Sequence, residues 1–260
     1  MPFANVNGIE LYYEEYGEGP ALIFAHGAGG NHLSWWQQVP VFADRYRCIT
    51  FDHRGFGFSR EAPQGPGPKV FADDLRGLLD HLHIDRAALV SQSMGGWTSL
   101  GFAITAPERV SALALCDTMA GVDDPEVIAE MKLHGAPRGG LAQVLARVFA
   151  ESYPQREPVK AFLYRQISAL NHHVPPELVP AMMNLRHRVD PVIEKRIPTL
   201  ILVGAEDALT TPRLMELIAH RIPHSRFIKV AGAGHSVYFE RPEEFNRALA
   251  DFLRDAAANP

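Results

Sequence analysis

The segment Ala87–Pro107, AALVSQSMGGWTSLGFAITAP, decides the fold of this 260-residue chain. It begins with the apolar run Ala87–Val90, which predicts a buried strand. After a turn through Ser91–Gly96, the small apolar residues Trp97–Ala106 predict a packed helix that ends at the following proline. A strand that turns sharply into a helix, with a serine at the corner, has the geometry of a nucleophile elbow.

The corner of the predicted turn is Ser93. Its neighbours two positions away pass close together, so Ser91 and Gly95 must be small. The N–H of Met94 lies at a helix N-terminus, where it can meet a developing oxyanion. Ser-x-Ser-x-Gly alone is a weak motif, because strand–turn–helix corners with serine and glycine are common. The uncharged segment also suggests a membrane span, but the paired glycines, the hydroxyls and Gln92 argue against it.

Composition narrows the class of protein. A hydrophobic content of 47% suffices for one large α/β domain, with or without an insertion. The net charge is −5 and no Lys/Arg block occurs, so neither nucleic acid nor an anionic membrane is an expected partner. Cys48 and Cys116 fall in apolar runs and are predicted to be buried, reduced thiols. The first residues lack the pattern of a signal peptide, and we expect a cytoplasmic protein.

Strand signals recur along the chain. Asn7-Gly8 between Phe3–Val6 and Ile9–Tyr16 predicts a tight hairpin. Further strands then alternate with helical stretches, which favours a mostly parallel sheet with helices on both faces. The predicted later strands are Ala21–Ala25, Arg47–Phe51, Val110–Cys116, Pro198–Val203 and Arg226–Val230.

The alternation stops between Thr118 and Lys195. Amphipathic helical stretches replace it, around Pro125–Leu133, Leu141–Ser152, Val159–Leu170 and Glu177–His187. The interruption predicts a helical cap at 118–195, inserted into a core formed by 1–117 and 196–260; the alternative is a run of ordinary surface helices. Because the insertion follows the carboxyl end of a strand, it should lie near the ligand crevice. Its apolar residues, together with two tryptophans, suggest a mostly apolar pocket: Phe149, Leu163, Tyr164, Met182, Met183, Trp35 and Trp36.

Two glycine-containing loops follow early strands. In the loop His26–Asn31, HGAGGN, a dinucleotide fingerprint fails because position 32 is histidine. The glycines instead suit an oxyanion loop, where backbone N–H groups approach a reacting carbonyl, or a plain tight turn. In the loop Asp52–Ser59, the Asp, Arg and Gly residues are predicted to fix the backbone rather than to act in catalysis.

Five motifs stand in order at strand ends: HGAGGN at 26–31, DHRGFG at 52–57, SQSMGG at 91–96, GAEDALTTP at 204–212 and AGAGHSVYFERPEEF at 231–245. Together they resemble the α/β-hydrolase fold family over essentially the whole chain. Within that family, the chain is similar to small capped serine hydrolases such as esterases and enol-lactonases. The order Ser, Asp, His is the order that this family uses.

The resemblance implies a role for each matching residue. Ser93 would be the nucleophile, His235 would take and return its proton, and Asp207 would hold the imidazole. The backbone N–H groups of Ala28 and Met94 would form the oxyanion hole.

Two positions leave alternatives open. Asp117 also follows a strand and is the rival acid, although the Gly-x-x-Asp spacing favours Asp207. Ser91 stands where the commoner elbow has glycine, but serine is still small. The remaining histidines, among them His81, His83, His172 and His173, lack a convincing ligand set, so no metal or other cofactor is expected.

A corner serine predicts acyl transfer to water. The resemblance to esterases and enol-lactonases implies that the acyl group comes from an ester or a lactone. It argues against the related dehalogenases and epoxide hydrolases, which use aspartate at the corner. Hydrolases of carbon–carbon bonds in ring-fission diketones are the alternative, weakened because Ser236 stands where that group commonly has tryptophan. A ligand-binding receptor on the same fold is an alternative of another class. The expected partner is a small-molecule substrate, and the oligomeric state is left open.

Overall fold

The computed structural model describes residues 2–134 and 145–258. Within them, one sheet has the strand order β1-β2-β4-β3-β5-β6-β7-β8. The first two strands form the predicted hairpin, whose turn residues Asn7 and Gly8 have φ of 44° and 81°. The strands are β1 Phe3–Val6, β2 Ile9–Tyr16, β3 Ala21–Ala25, β4 Arg47–Phe51, β5 Ala87–Gln92, β6 Val110–Cys116, β7 Thr199–Gly204 and β8 Arg226–Val230.

Strand direction confirms the predicted mostly parallel sheet. Strand β2 pairs antiparallel with β1 and β4, whereas the pairs from β4 through β3, β5, β6 and β7 to β8 are all parallel. Every residue of the central strands β3, β5 and β7 is buried. Strands buried on both faces need apolar side chains throughout, which explains their continuous aliphatic runs.

Helices cover both faces of the sheet. Side chains of a strand alternate between faces, so Leu22 and Phe24 join one apolar cluster while Ile23 and Ala25 join the other. The helices of the core are α1 Val39–Phe42, α2 Phe71–His81, α3 Gly95–Thr105, α9 Pro212–Arg221, α10 Val237–Glu240 and α11 Pro242–Ala258, with short 3₁₀ turns at His32–Trp35, Gly67–Val70 and Pro107–Arg109.

Between β6 and β7 lies the stretch that we call the helical segment, residues 118–195. Its described helices are α4 Pro125–His134, α5 Tyr153–Arg156, α6 Pro158–Ala169, α7 Leu178–Met182 and α8 Asp190–Glu194. The predicted helix Leu141–Ser152 begins outside the described residues, and 146–152 form turns rather than helix. The predicted helix Glu177–His187 is shortened, because the N–H of His187 donates to Gly121 O (2.7 Å) in an extended bridge.

Candidate active site

The β5–α3 turn places Ser93 at a sharp backbone corner. Its φ is +49°, in the left-handed region that a serine seldom adopts. Two hydrogen bonds to the neighbouring strand end hold this conformation: the N–H of Ser93 donates to Cys116 O (3.0 Å), and Thr118 Oγ1 donates to Ser93 O (2.6 Å). The serine hydroxyl is therefore presented at the carboxyl edge of the sheet by a backbone that is fixed on both sides.

Close approach of α3 to β3 explains why the corner needs small neighbours. A Cβ on Gly95 would lie 2.2 Å from the carbonyl oxygen of Ala25, so only glycine fits without movement of the backbone. Ser91 is fully buried, and its hydroxyl donates to Ala114 O at 2.9 Å. This hydroxyl is engaged with β6, whereas the hydroxyl of Ser93 meets a histidine.

The structure brings together the serine, histidine and aspartate that the sequence pointed to. Nε2 of His235 lies 2.9 Å from Ser93 Oγ, and its Nδ1 lies 2.9 Å from Asp207 Oδ2. The side chain of His235 is 4% exposed and that of Asp207 is fully buried. These contacts form one chain of hydrogen bonds from a buried carboxylate to a hydroxyl at the sheet edge, which is the geometry of an activated nucleophile.

The carboxylate of Asp207 has a fixed orientation. Its Oδ1 accepts the N–H groups of Leu209 (2.7 Å) and Thr210 (2.9 Å), and its Oδ2 accepts the Thr210 hydroxyl (2.6 Å) as well as facing His235. The loop that follows β7 thus satisfies both oxygens. Of the two carboxylate oxygens, Oδ2 contacts Nδ1 of His235, at 2.9 Å, while Thr210 Oγ1 lies farther from Nδ1, at 3.3 Å. Because the Thr210 hydroxyl donates its own proton to Oδ2, the carboxylate is the nearer acceptor for the Nδ1 proton.

The carboxyl of Asp117, the alternative acid, accepts backbone N–H groups instead of contacting the imidazole. Its Oδ1 accepts the N–H of Gly204 (3.0 Å), and its Oδ2 accepts the N–H of Val237 (3.4 Å). No hydrogen bond among the described residues joins it to His235. Burial, reinforced by the nearby charge of Asp207, raises the pKa of Asp117 well above its usual range. This carboxyl therefore ties the end of β6 to the last residue of β7 and to the first residue of α10.

The HGAGGN loop is shaped by a buried histidine. Nε2 of His26 accepts the N–H of His53 (3.0 Å), so its proton is on Nδ1, which lies 2.8 Å from Gly27 O. The same carbonyl accepts the N–H of Gly30 (2.9 Å). Burial lowers the pKa of His26 to about 4, so the ring is neutral near pH 7. In a planar trans peptide the next N–H points opposite to this carbonyl, so that of Ala28 faces away from both donors.

Two backbone N–H groups are left free near the corner. Ala28 and Met94 are both buried, and no hydrogen bond within 2–134 and 145–258 engages either N–H. Met94 directly precedes α3, where the helix dipole favours negative charge. The side chain of Gln92 braces the same region, since its Nε2 donates to His235 O at 2.7 Å and its amide oxygen closely approaches Gly27.

The DHRGFG loop is held by buried charged groups. Asp52 accepts the N–H of His32 (2.7 Å) and that of Phe58 (2.8 Å). Arg54 is fully buried and binds both carboxylate oxygens of Asp74, with N–O distances of 2.6 and 2.7 Å. These contacts fix the loop backbone, as the prediction of a structural role requires.

The helical segment is hydrogen-bonded to the HGAGGN loop. Asn171 donates to Gly30 O (2.9 Å) and accepts the N–H of Gly57 (3.1 Å), while Asn31 donates to Ile167 O (2.8 Å). Both asparagines are buried. The end of α6 is thus anchored to two loops at the carboxyl edge of the sheet.

A cavity of about 650 Å³ lies inside the helical segment. Its walls are mostly apolar and include Leu145, Phe149, Ala161 and Tyr164. Ser93 does not line it. The connection to the site runs through Tyr164, because a Cβ on Gly29 would lie 2.7 Å from its hydroxyl oxygen. Burial raises the pKa of Tyr164 to about 12, so the phenol is neutral near pH 7.

The sequence did not determine which of the named apolar residues line a pocket, and the structure distributes them over several places. Phe149 and Tyr164 line the cavity, but Trp35 is buried in the core against Phe24 and Tyr238. The others also lie elsewhere: Trp36 and Leu163 are exposed, while Met182 and Met183 pack against the core. Apolar character predicts burial, and the tertiary packing decides in which cluster a side chain is buried.

Sequence reasoning missed the residues that support the site. The hydroxyl of Thr210 donates to the carboxylate of Asp207, and the amide of Gln92 donates to the carbonyl of His235. Glu240 accepts the N–H of Gly234, which directly precedes the histidine. Glu240 could have been found from the sequence, because it is the one charged residue of the segment Val237–Glu240, VYFE, whose other residues are apolar or aromatic. A charge at the end of a buried helical turn requires compensating donors.

None of the helices within 2–134 and 145–258 is long and apolar enough to cross a membrane.

Comparison with known proteins gives consistent relatives. Residues 22–248 match the family described as "Alpha/beta hydrolase family". The 3-oxoadipate enol-lactonase 2 of Acinetobacter baylyi is 30% identical, over 95% of this chain and 94% of that protein. A thermophilic esterase from Thermogutta terrifontis is 30% identical with a TM-score of 0.82, covering 98% of this chain and 97% of the other. The enol-lactonase of Burkholderia xenovorans LB400 is 30% identical with a TM-score of 0.76, covering 97% and 100%.

Proposed function

Because this chain belongs to the alpha/beta hydrolase family, we propose that it hydrolyses ester or lactone bonds of small, largely apolar carbonyl compounds through an acyl-enzyme on Ser93. The observation that carries the proposal is the hydrogen-bonded chain of Ser93, His235 and Asp207, with two successive distances of 2.9 Å. Such a chain lets a neutral hydroxyl attack a carbonyl at neutral pH.

In the acylation step, Ser93 Oγ attacks the carbonyl carbon while Nε2 of His235 takes the hydroxyl proton. The carbonyl π pair moves onto oxygen, and the N–H groups of Ala28 and Met94 bind the resulting oxyanion. Asp207 stabilises the imidazolium. Collapse of the tetrahedral intermediate breaks the bond to the alkoxy oxygen, which leaves with the proton from His235.

In the deacylation step, water takes the place of the departed alcohol. His235 removes a proton from this water as its oxygen attacks the ester carbonyl on Ser93. The second tetrahedral intermediate is bound by the same two N–H groups. Its collapse returns the proton to Ser93 Oγ and releases the carboxylic acid; a lactone gives a single hydroxy acid.

We assign the helical segment the role of a cap over this chemistry. Its support is the anchoring of Asn171 to Gly30 and the placement of Tyr164 against Gly29. Ser93 does not line the cavity of this segment, but the cavity wall residue Tyr164 reaches the HGAGGN loop at Gly29, and the mostly apolar walls support a substrate with an apolar acyl or alcohol part. The free, buried thiols of Cys48 and Cys116 fit a reducing, cytoplasmic location.

Turnover of short-chain p-nitrophenyl esters and labelling by a serine-reactive phosphonate test the proposal. The wild type should hydrolyse the esters and carry the label on Ser93 by mass spectrometry. Ser93→Ala should lose both, with kcat lower by roughly 10⁴–10⁶-fold and an unchanged melting temperature. Ser225→Ala is the matched control and should behave as the wild type. Ser225 lies in the loop before β8, and among the described residues its hydroxyl has one hydrogen-bond partner, Ala219 O of α9, at 3.4 Å.

A panel of lactones, esters and ring-fission diketones then assigns the bond that is cleaved. Faster turnover of diketones than of any ester or lactone would replace the proposal by carbon–carbon hydrolysis. If Ser93 is not labelled and no substrate is turned over, the proposal is overturned and a ligand-binding role is favoured.

A further inference from the structure

Glu240 is a buried carboxyl one helical turn beyond His235. Its side chain ends at the loop that carries the imidazole, and the residue is 5% exposed. Oε1 accepts the N–H of Gly234 at 2.8 Å and that of Ser236 at 3.4 Å. Oε2 accepts the N–H of Ala150 in the helical segment at 2.9 Å.

The two N–H groups on Oε1 flank His235 in the chain. The N–H of Ser236 belongs to the peptide that directly follows His235, and the N–H of Gly234 belongs to the peptide between Ala233 and Gly234, one peptide earlier than the one that precedes His235. Holding both restricts the loop backbone that carries the imidazole. The carbonyl of His235 itself accepts the amide of Gln92 (2.7 Å), so the loop is held from both sides. An imidazole that must meet both Ser93 and Asp207 at 2.9 Å depends on such a fixed backbone.

The third N–H group joins this loop to the helical segment. A Cβ on Gly234 would lie 2.3 Å from the backbone N of Ala150 and 2.4 Å from the carbonyl carbon of Phe149. The two backbones are therefore in direct contact. One carboxyl thus satisfies N–H groups on both sides of a closely packed contact.

We propose that Glu240 is a positioning residue for His235, and that the same carboxyl fastens the helical segment to the histidine loop. Its catalytic consequence rests on the proposed function, whereas its structural consequence for the imidazole does not. Burial is costly for this group, and the nearby charge of Asp207 adds to the cost; together they raise the pKa of Glu240 to about 7. A carboxyl kept in such surroundings is compensated by its three donors.

Three substitutions at position 240 separate the effect of side-chain length from the effect of the negative charge. Glu240→Gln keeps one oxygen at full length, Glu240→Asp keeps the charge but draws it back by one methylene, and Glu240→Ala removes both. Glu243→Ala, an exposed glutamate in the first turn of α11, is the matched control. Each variant is assayed for kcat and KM on p-nitrophenyl acetate, at a temperature well below its measured melting point.

Positioning predicts a loss of kcat rather than of binding. Glu240→Asp and Glu240→Ala should lower kcat about 10- to 100-fold, with KM changed by less than about threefold, because the imidazole is displaced. Glu240→Gln should retain kcat within about fivefold of the wild type, since its oxygen can still accept the N–H of Gly234; its NH₂ group cannot accept the N–H of Ala150, so the contact to the helical segment is the one that weakens. Unchanged kcat in all three variants, or a higher kcat in Glu240→Asp than in Glu240→Gln, would overturn the proposal. If Glu240→Ala does not fold, the other two decide.

A second measurement is independent of turnover. Long-range ¹⁵N–¹H spectra of the imidazole, assigned by comparison with His235→Ala, should give one sharp set of His235 signals in the wild type and in Glu240→Gln. Glu240→Asp should broaden or shift this set. If the wild type shows neither esterase activity nor labelling, the proposed function fails. The spectra still show whether Glu240 positions the imidazole of His235. Unchanged His235 signals in Glu240→Asp would overturn that positioning.

Discussion

Replacing Asp207 by asparagine is the sharpest test of the proposed chemistry. The structure dictates how the new amide must lie. Oδ1 accepts two backbone N–H groups, from Leu209 at 2.7 Å and Thr210 at 2.9 Å, so this position must stay an oxygen. The NH₂ group then occupies the Oδ2 position and faces Nδ1 of His235, 2.9 Å away in the wild type.

A donor at that position reverses the tautomer of His235. Its Nδ1 must now accept, so the proton moves to Nε2, which faces Ser93 Oγ and can no longer take a proton from it. Asparagine also removes the charge that stabilises the imidazolium. We therefore expect kcat to fall by roughly 10⁴-fold, about 5 kcal/mol of activation free energy. The melting temperature should change little, since both backbone N–H groups keep their acceptor and the Thr210 hydroxyl, which loses Oδ2 as its acceptor, can turn to accept from the new NH₂ group.

Asp117→Asn is the matched control. Asp117 bonds to the N–H groups of Gly204 and Val237, the second at a long 3.4 Å, and burial favours its neutral form. An amide oxygen can keep the shorter bond, so kcat should fall by less than about tenfold. Both variants are measured for steady-state hydrolysis of p-nitrophenyl acetate and for the rate of phosphonate labelling.

Two results would refute this reasoning. If Asp117→Asn lost more kcat than Asp207→Asn, the acid would be assigned to the wrong strand end. If Asp207→Asn kept kcat within about tenfold of the wild type, neither the tautomer nor the charge of His235 would depend on this residue.

Three further predictions concern stability, measured by urea unfolding. Gly95→Ala should cost about 1–3 kcal/mol, because its Cβ would lie 2.2 Å from Ala25 O; an unchanged midpoint would contradict this close approach. Arg54→Met should cost about 3–5 kcal/mol by leaving Asp74 buried without its partner, while kcat of the folded protein stays unchanged; lost kcat would instead place Arg54 in the site. The pKa of Glu240 is about 7 in the folded protein against an ordinary 4.5, so the native state holds this proton more tightly than the unfolded chain does. The free energy of unfolding of the wild type should therefore fall by on the order of 3 kcal/mol as pH rises from 4.5 to 7. Glu240→Gln should lack this decrease, and a pH profile of stability identical to that of the wild type would refute the prediction.

Short-range patterns predicted the sheet well. Asn7-Gly8 specifies its hairpin because both turn residues need positive φ, which asparagine and glycine tolerate. The wholly apolar run Ala21–Ala25 predicted a central strand, and the structure confirms this with five buried residues in β3. The helices of the helical segment were harder to place. His187 leaves its predicted helix for a bridge to Gly121, a partner 66 positions away that no local pattern reveals.

For the candidate site, the sequence by itself determined which chemical groups stand at the strand ends. Ser93, Asp207 and His235 each follow a predicted strand, and parallel strands bring their carboxyl ends to one edge. The Gly-x-x-Asp spacing favoured Asp207 over Asp117, but only the tertiary structure shows which of the two carboxylates contacts the imidazole. Both follow strands, and the difference is that one carboxylate meets Nδ1 at 2.9 Å while the other is occupied by backbone N–H groups. Likewise, only the fold placed the carboxyl of Glu240 between the histidine loop and Ala150, 90 residues apart. Strand and turn preferences act over a few residues and are written in the sequence, whereas a side chain's partner across the fold is set by packing.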